Sequence, residues 1–413
     1  MSKSDSRVTL FAKRAARSLS RRMREFGQVQ PEGFDLSNVP SADVALYFPD
    51  APPKLYQLIQ WLPIFEANKD VRTIVVMRNF DSYNIVKDLT PLKTILVPRY
   101  EDMMAMYDRA DFKAVVYVNN GWTNFQSLSF QQAVHVHVNH GESDKICMVS
   151  NQAKAYDRVF VAGTAAVKRH EAAIAWFDLS HLVRVGRPQL DLGGKPLLAP
   201  SSRVTITYAP TWEGEDAANN YTSVDLYGEA IIAAALAQPN ARVIYKPHPR
   251  VSISEDEVVL RKHEAIVAAM KAAQSADPSA GHQVLETGDM LDVIRDTDVM
   301  IADVSSVSLD HLYLRPQAPL FITDRRNDRT LLAADAPVST ASYVVDASSI
   351  AQLHVTLAEA IASDSKREER LSMRDYYFDG LGPGESTARF WTELNNAIES
   401  HHEAMSQLSR VRT

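Results

Sequence analysis

The 413-residue chain has a single cysteine, Cys147. That excludes an internal disulfide and every multi-cysteine metal site, and it fits a reducing compartment such as the cytoplasm. Long apolar runs are missing as well. Stretches such as Ile231–Leu236 fall far short of the roughly 20 residues that a membrane-spanning helix needs. There is no secretory core either, because Lys13, Arg14 and Arg17 interrupt Leu10, Phe11 and the alanines near position 15. Excess positive charge is also lacking: 44 Lys and Arg stand against 51 Asp and Glu, a net charge of −7, which argues against a nucleic-acid partner. No Gly-x-Gly-x-x-Gly fingerprint and no Gly-Lys-Ser phosphate loop appear, which disfavours NAD enzymes and NTPases. Neither a Gly-x-Ser-x-Gly elbow nor a helical histidine pair at metal-ligand spacing is found, so no metal and no cofactor are expected.

What is present is an ordinary globular composition, 46% hydrophobic and 23% charged, in a chain too long for one hydrophobic core. From residue 42 onward, short β-branched runs alternate with longer helical patterns. Val44–Phe48, Thr73–Met77, Thr94–Pro98, Ala114–Asn119, Val134–Val138, Arg158–Ala162 and Leu182–Gly186 read as one series of strands. Val204–Tyr208, Arg242–Lys246, Gln283–Glu286, Asp298–Ile301, Pro319–Thr323 and Tyr343–Val345 read as a second. Runs such as Thr-Ile-Val-Val-Met are apolar on both faces, as strands buried in a parallel sheet are. Gly and Pro crowd the stretch 185–196, and a fresh strand opens after it. The expectation is an α/β protein of two doubly wound, Rossmann-like domains, 41–190 and 196–385, facing a cleft. A basic segment, 1–40, precedes them, and a C-terminal helix, Thr387–His401 within 386–413, closes the chain. Ligands of such sheets sit beyond the carboxyl ends of the strands.

Residues 1–27 hold Lys3, Arg7, Lys13, Arg14, Arg17, Arg21, Arg22 and Arg24 against only Asp5 and Glu25. Val8, Phe11, Ala15 and Leu19 recur at helical spacing. A basic amphipathic helix of this kind would rest on anionic lipid headgroups; a solvated tail is the other reading.

Three loops at strand ends concentrate chemistry. Asn139-His140-Gly141-Glu142-Ser143-Asp144-Lys145 follows the fifth strand. A neutral imidazole at His140 could take a proton from an attacking hydroxyl, and Gly141 lets the backbone approach a ligand. His135 and His137 share the parity of Asn139, and a satisfied structural role is expected for both. Lys246-Pro247-His248-Pro249-Arg250 follows the ninth strand. Its prolines stiffen the loop around His248, and its cationic groups suit a diphosphate whose leaving oxygen gains charge. Asp303-Val304-Ser305-Ser306 opens a helix that continues to Asp310 and His311. Ser305 reads as its N-cap, and first-turn N–H groups with added Ser305 and Ser306 hydroxyls would suit phosphate oxygens. Asp303 reads as an acceptor for a loop N–H or a basic neighbour, and Asp310 as an acceptor for ribose hydroxyls. Tyr208-Ala209-Pro210-Thr211-Trp212 makes a short aromatic turn on which a base could lean.

Taken in order, these segments resemble the CDP-glycerol glycerophosphotransferase family, the teichoic-acid primases and polymerases of bacteria. That family shows a His-Gly-x-x-x-Lys loop, matched by His140–Lys145, and a Gly-x-Pro-Arg-x-Asp junction, echoed by Gly186–Asp191 with Gln189 in place of Arg. Its Tyr-Ala-Pro-Thr-Trp turn, Lys-x-His-Pro loop and Asp-x-Ser-Ser helix start are matched by Tyr208–Trp212, Lys246–Pro249 and Asp303–Ser306. The resemblance spans residues 134–325. It implies a GT-B fold and metal-independent transfer of glycerol phosphate from CDP-glycerol to a membrane-linked glycan or polymer. It implies a peripheral place on the inner face of the membrane. Carried over, His140 is the general base, and His248, Ser305 and Ser306 hold the donor diphosphate, with Lys246, Arg250, Asp303 and Asp310 on the donor side. Gly141, Lys145, Thr211 and Trp212 are further candidates. The rival readings are a GT-B glycosyltransferase using a nucleotide sugar and a non-catalytic nucleotide-binding protein on the same fold.

Overall fold

The computed structural model describes residues 34–411, apart from 146–147, 193–196, 216 and 383. The basic segment 1–27 lies outside the described residues. Among the described residues, thirteen strands form two sheets, parallel throughout. The first sheet holds β1 (Val44–Phe48), β2 (Thr73–Met77), β3 (Lys93–Leu96), β4 (Ala114–Tyr117), β5 (Val134–His137), β6 (Arg158–Val161) and β7 (Leu182–Arg184). Its order is β3-β2-β1-β4-β5-β6-β7. The second holds β8 (Val204–Ala209), β9 (Ala241–Tyr245), β10 (Gln283–Val284), β11 (Val299–Ala302), β12 (Leu320–Thr323) and β13 (Tyr343–Val345), in the order β10-β9-β8-β11-β12-β13.

The apolar runs explain the layering. Along β1, Val44, Leu46 and Phe48 enter one buried cluster, while Ala45 and Tyr47 enter another on the opposite face. A strand that buries both faces must be covered on both, and helices connecting parallel strands supply the cover. In each sheet the strand order reverses beside the first strand, between β1 and β4 and between β8 and β11. Such a reversal parts the loops above the sheet and leaves a crevice at the carboxyl ends.

The chain then returns to its beginning. The final helix runs Glu385–Val411, not Thr387–His401. No Pro or Gly interrupts it, so backbone propensity carries it past the apolar stripe that marks its packed part. Phe390, Leu394 and Ala397 recur at i, i+4 and i+7 and pack with Val44, Leu46 and Trp61 of the first sheet's core. The Phe390 and Trp61 rings lie 5.3 Å apart. Gly186 begins the crossover from the front half to the back. Its φ of +73° and the collision that a Cβ would make with Ser386 both require glycine there. Helix Arg367–Phe378 packs beside helix Thr164–Ala173, and Tyr377 donates to Asp144 at 2.5 Å. Apolar burial and buried polar contacts thus both tie the halves together. Among the described residues, no helix is long and apolar enough to cross a membrane.

Candidate active site between the two sheets

The reversal between β8 and β11 brings two of the sequence-marked segments side by side. Asp303, just past β11, is fully enclosed. Its carboxylate accepts from the Thr211 N–H at 2.7 Å, the Ser223 N–H at 3.3 Å and the Thr323 hydroxyl at 2.6 Å. Asp303 therefore anchors the turn after β8, the loop N–H role read for it in the sequence. Both its oxygens are spent inside the protein, so it can serve a donor only as a strut. Burial pushes its carboxyl up to about 6.

Helix Ser306–Leu314 starts beside this turn. Ser305 occupies the N-cap position with extended backbone, but its side chain caps nothing. Its Oγ is buried and unpartnered, and Ser308 bonds the Ser305 carbonyl instead. The expected cap is thus a hydroxyl left unspent at a helix start, together with first-turn N–H groups. Asp310 is buried against the front half. One helical turn below Ser306 it is 7% exposed, with its Oδ1 3.1 Å from Arg187 Nη2 of the front half. Helical spacing of i, i+4 places it under Ser306, facing the opposite domain.

The loop after β9 completes this wall. His248 donates its N–H to the Pro210 carbonyl at 3.0 Å, and its Nδ1 accepts from the Arg250 N–H at 3.2 Å. With Nδ1 so engaged, the neutral ring carries its proton on Nε2. Arg250 is exposed, pairs with Glu215 at 3.1 Å and stacks 4.2 Å from the Trp212 ring centre. Trp212 and His248 rings are 6.1 Å apart. Lys246 is buried, which lowers its pKa.

The front half meets this wall through the loop after β5. Register pairs Tyr117 with His137, so Val118–Asn120 and Val138–His140 leave the sheet together. Asn139 has a φ of +56°, a left-handed turn that asparagine tolerates. Its carbonyl accepts from Trp61 Nε1 at 2.6 Å. His140 follows, edge-on to Tyr56 at 5.6 Å, with a buried and unpartnered Nδ1. A Cβ on Gly141 would stand 3.4 Å from Arg187 Nη1 and 3.8 Å from Ser306 Cβ. Lys145 donates to Thr211 Oγ1 at 2.9 Å. So the histidine loop touches both the uncapped helix start and the aromatic turn across the crevice.

Both imidazoles are neutral near pH 7. Burial is the main cause at each, lowering His140 and His248 to about 4. Cations assist: Arg187 and Lys54 at His140, and Lys145, Arg250 and Lys246 at His248. The arrangement can therefore offer an unprotonated nitrogen at one wall and N–H, O–H and ammonium donors at the other.

The structure also adds residues that the sequence reading passed over. Trp61 and Tyr56 carry no motif signal of their own, Arg187 lies in the Gly186–Asp191 junction without a role read for it, and all three act through partners far along the chain. His135 is structural as expected, with Tyr117 Oη on Nδ1 at 2.8 Å and the Phe130 carbonyl on Nε2 at 2.7 Å. His137 is not satisfied as expected: its Nε2 is buried without a partner, because the end of β5 opens on a cavity. Among the described residues, no three His, Cys, Asp or Glu side chains gather as a metal site.

Residues 193–325 match the family model described as CDP-glycerol:poly(glycerophosphate) glycerophosphotransferase. No curated protein sequence matches the chain. Among solved structures, the wall teichoic acid polymerase TagF is 14% identical, with 90% of this chain and 92% of that chain covered and a TM-score of 0.55. A TagF variant soaked with CDPG is 15% identical, covering 89% and 92%, with a TM-score of 0.54. A glycosyltransferase from Rickettsia africae ESF-5 is 10% identical, covering 87% and 99%, with a TM-score of 0.55. The chain thus has the two-sheet GT-B fold of TagF, and its residues 193–325 are similar to the CDP-glycerol:poly(glycerophosphate) glycerophosphotransferase family.

Proposed function

We propose that the protein transfers glycerol phosphate, or a related polyol phosphate, from a CDP-linked donor to a hydroxyl of a membrane-linked glycan or polymer, releasing CMP. One observation carries the reading: an uncapped helix start with a free, buried Ser305 hydroxyl lies against the loop that presents the unpartnered His140 Nδ1. A diphosphate seated at Ser305 and Ser306 would then lie between His140 and the His248 loop. His140 takes the proton of the acceptor hydroxyl, whose oxygen bonds to the β-phosphorus while the bond to the bridging oxygen breaks. CMP leaves with that electron pair. His248 Nε2–H, Lys246 and the helix N–H groups meet the charge growing on it, each fixed donor contributing about 3 kcal/mol. The cations that assist burial in keeping both imidazoles neutral are the ones an arriving diphosphate would offset. Donor binding therefore raises the basicity of His140 when a base is needed.

The test is to incubate the protein with CDP-glycerol and, separately, with UDP- and GDP-sugars, and to follow nucleotide release. CMP from CDP-glycerol alone supports the reading; release from a nucleotide sugar replaces it with the glycosyltransferase. Calorimetric binding of CDP-glycerol with no CMP under any acceptor would make the protein a non-catalytic binder. The basic segment 1–27 supports peripheral attachment to an anionic inner membrane face. Deleting it should release the protein from anionic liposomes, and unchanged co-sedimentation would refute the attachment.

A further inference from the structure

We infer that a small cavity beyond the carboxyl ends of β5, β6 and β7 seats the terminal hydroxymethyl or glycol group of the acceptor, and that its lining selects a polyol end over a phosphate. The inference rests on the transfer reading above and names the acceptor chemistry of that site.

The cavity measures about 40 Å³. That is room for about three waters, or a stretch of two or three heavy atoms. His137, Asn120, Arg169, Arg187 and Gln189 line it. Each contributes a buried polar atom without a partner: His137 Nε2, Asn120 Oδ1, Arg169 Nε, Arg187 Nε and Nη1, and Gln189 Oε1. His137 is 4%, Arg187 5% and Gln189 3% exposed. Such groups are costly to leave unmet, on the order of 1–3 kcal/mol each, so a cluster of them in one cavity points to something that fills it.

Charge decides what that is. Arg169 is paired with Glu142 and with Asp144, the latter at 2.5 Å, and Arg187 faces Asp310 at 3.1 Å. Each guanidinium thus already faces a carboxylate. The lining instead mixes N–H donors with the carbonyl oxygens of Asn120 and Gln189. A hydroxyl both donates and accepts and can serve both kinds; a phosphate only accepts and would leave those oxygens opposed. Asn139 and Gly141, the neighbours of His140, also border the cavity. The seat is thus next to the loop that carries the base, one residue to either side of His140.

The probe is free glycerol, compared with inorganic phosphate. With no donor present, the His137 ring proton signal, assigned through His137→Gln, should shift saturably with glycerol and at least about tenfold more weakly with inorganic phosphate. Gln189→Leu should weaken that response about tenfold or more. In turnover with CDP-glycerol it should raise the KM for glycerol by a similar factor while calorimetric binding of CDP-glycerol stays unchanged. Asn120→Ala is the second variant should Gln189→Leu fail to fold by circular dichroism. An unmoved His137 signal in the parent protein, or inorganic phosphate binding as well as glycerol, overturns the inference even where CDP-glycerol is cleaved. A glycerol response in a protein that leaves CDP-glycerol intact keeps the polyol seat and sinks the transfer reading instead.

Discussion

The depressed basicity of the two crevice histidines has a measurable consequence for rate. An unperturbed histidine, with a pKa near 6.5, is only about 3% neutral at pH 5. His140, lowered to about 4 by burial and by Arg187 and Lys54, is about 90% neutral there on the same titration arithmetic. His248 is lowered to about 4 as well, and it acts as a neutral Nε2–H donor. The free enzyme thus keeps both groups in their working states well below the usual histidine range. Because kcat/KM reports ionisations of the free enzyme, its value for CMP release from CDP-glycerol should be nearly flat from pH 8 to pH 5. An ordinary histidine base would lose about 30-fold over that span. The kcat profile should break at higher pH, since the bound diphosphate offsets the surrounding cations. An acid limb in kcat/KM with a midpoint near 6.5, in protein still folded at pH 5 by circular dichroism, would refute this electrostatic account of the site.

His140→Ala and His248→Ala should each lower turnover at least about a hundredfold with the fold intact; unfolded variants would mark both residues as structural. Asp303→Asn isolates a buried acid. Its folded carboxyl, at about 6, lies above the unfolded value near 3.9, so the native state binds the extra proton. Its contribution to stability is complete below pH 4 and lost as pH rises through 6, by about 3 kcal/mol. Denaturant melts should therefore show the parent losing stability relative to Asp303→Asn over that window, and a constant difference would contradict the burial. Phe390→Ala, which empties a core position between Trp61 and Phe160, should cost about 3–5 kcal/mol. A cost below 1 kcal/mol, read from the same melts, would mean that the last helix is not docked.

The sheets were legible in the sequence because their strands are apolar on both faces, a pattern that only covered parallel strands sustain. β4, read as Ala114–Asn119, ends at Tyr117, because Val118 and Asn119 belong to the departing loop. The motif loops were placed correctly at strand ends, yet local pattern could not say what each side chain meets there. Ser305 has the residue type and position of a cap and still does not cap. Asp310 and Arg187 lie 3.1 Å apart across the domain boundary, a pairing created by the crevice and carried by no sequence spacing. His137 shares strand parity with His135, and only the opening beyond β5 separates a satisfied ring from an unsatisfied one. Tyr56 and Trp61 support the histidine loop through contacts 84 and 78 positions away, beyond the reach of any motif.

The most direct measurement is a crystal structure of His140→Ala protein soaked with CDP-glycerol. Both phosphorus atoms should lie at the N-terminus of helix Ser306–Leu314, in contact with Ser305, Ser306 and the His248 loop, with the β-phosphorus facing the vacated imidazole position. A nucleotide bound elsewhere, or a diphosphate turned away from position 140, would contradict the assignment.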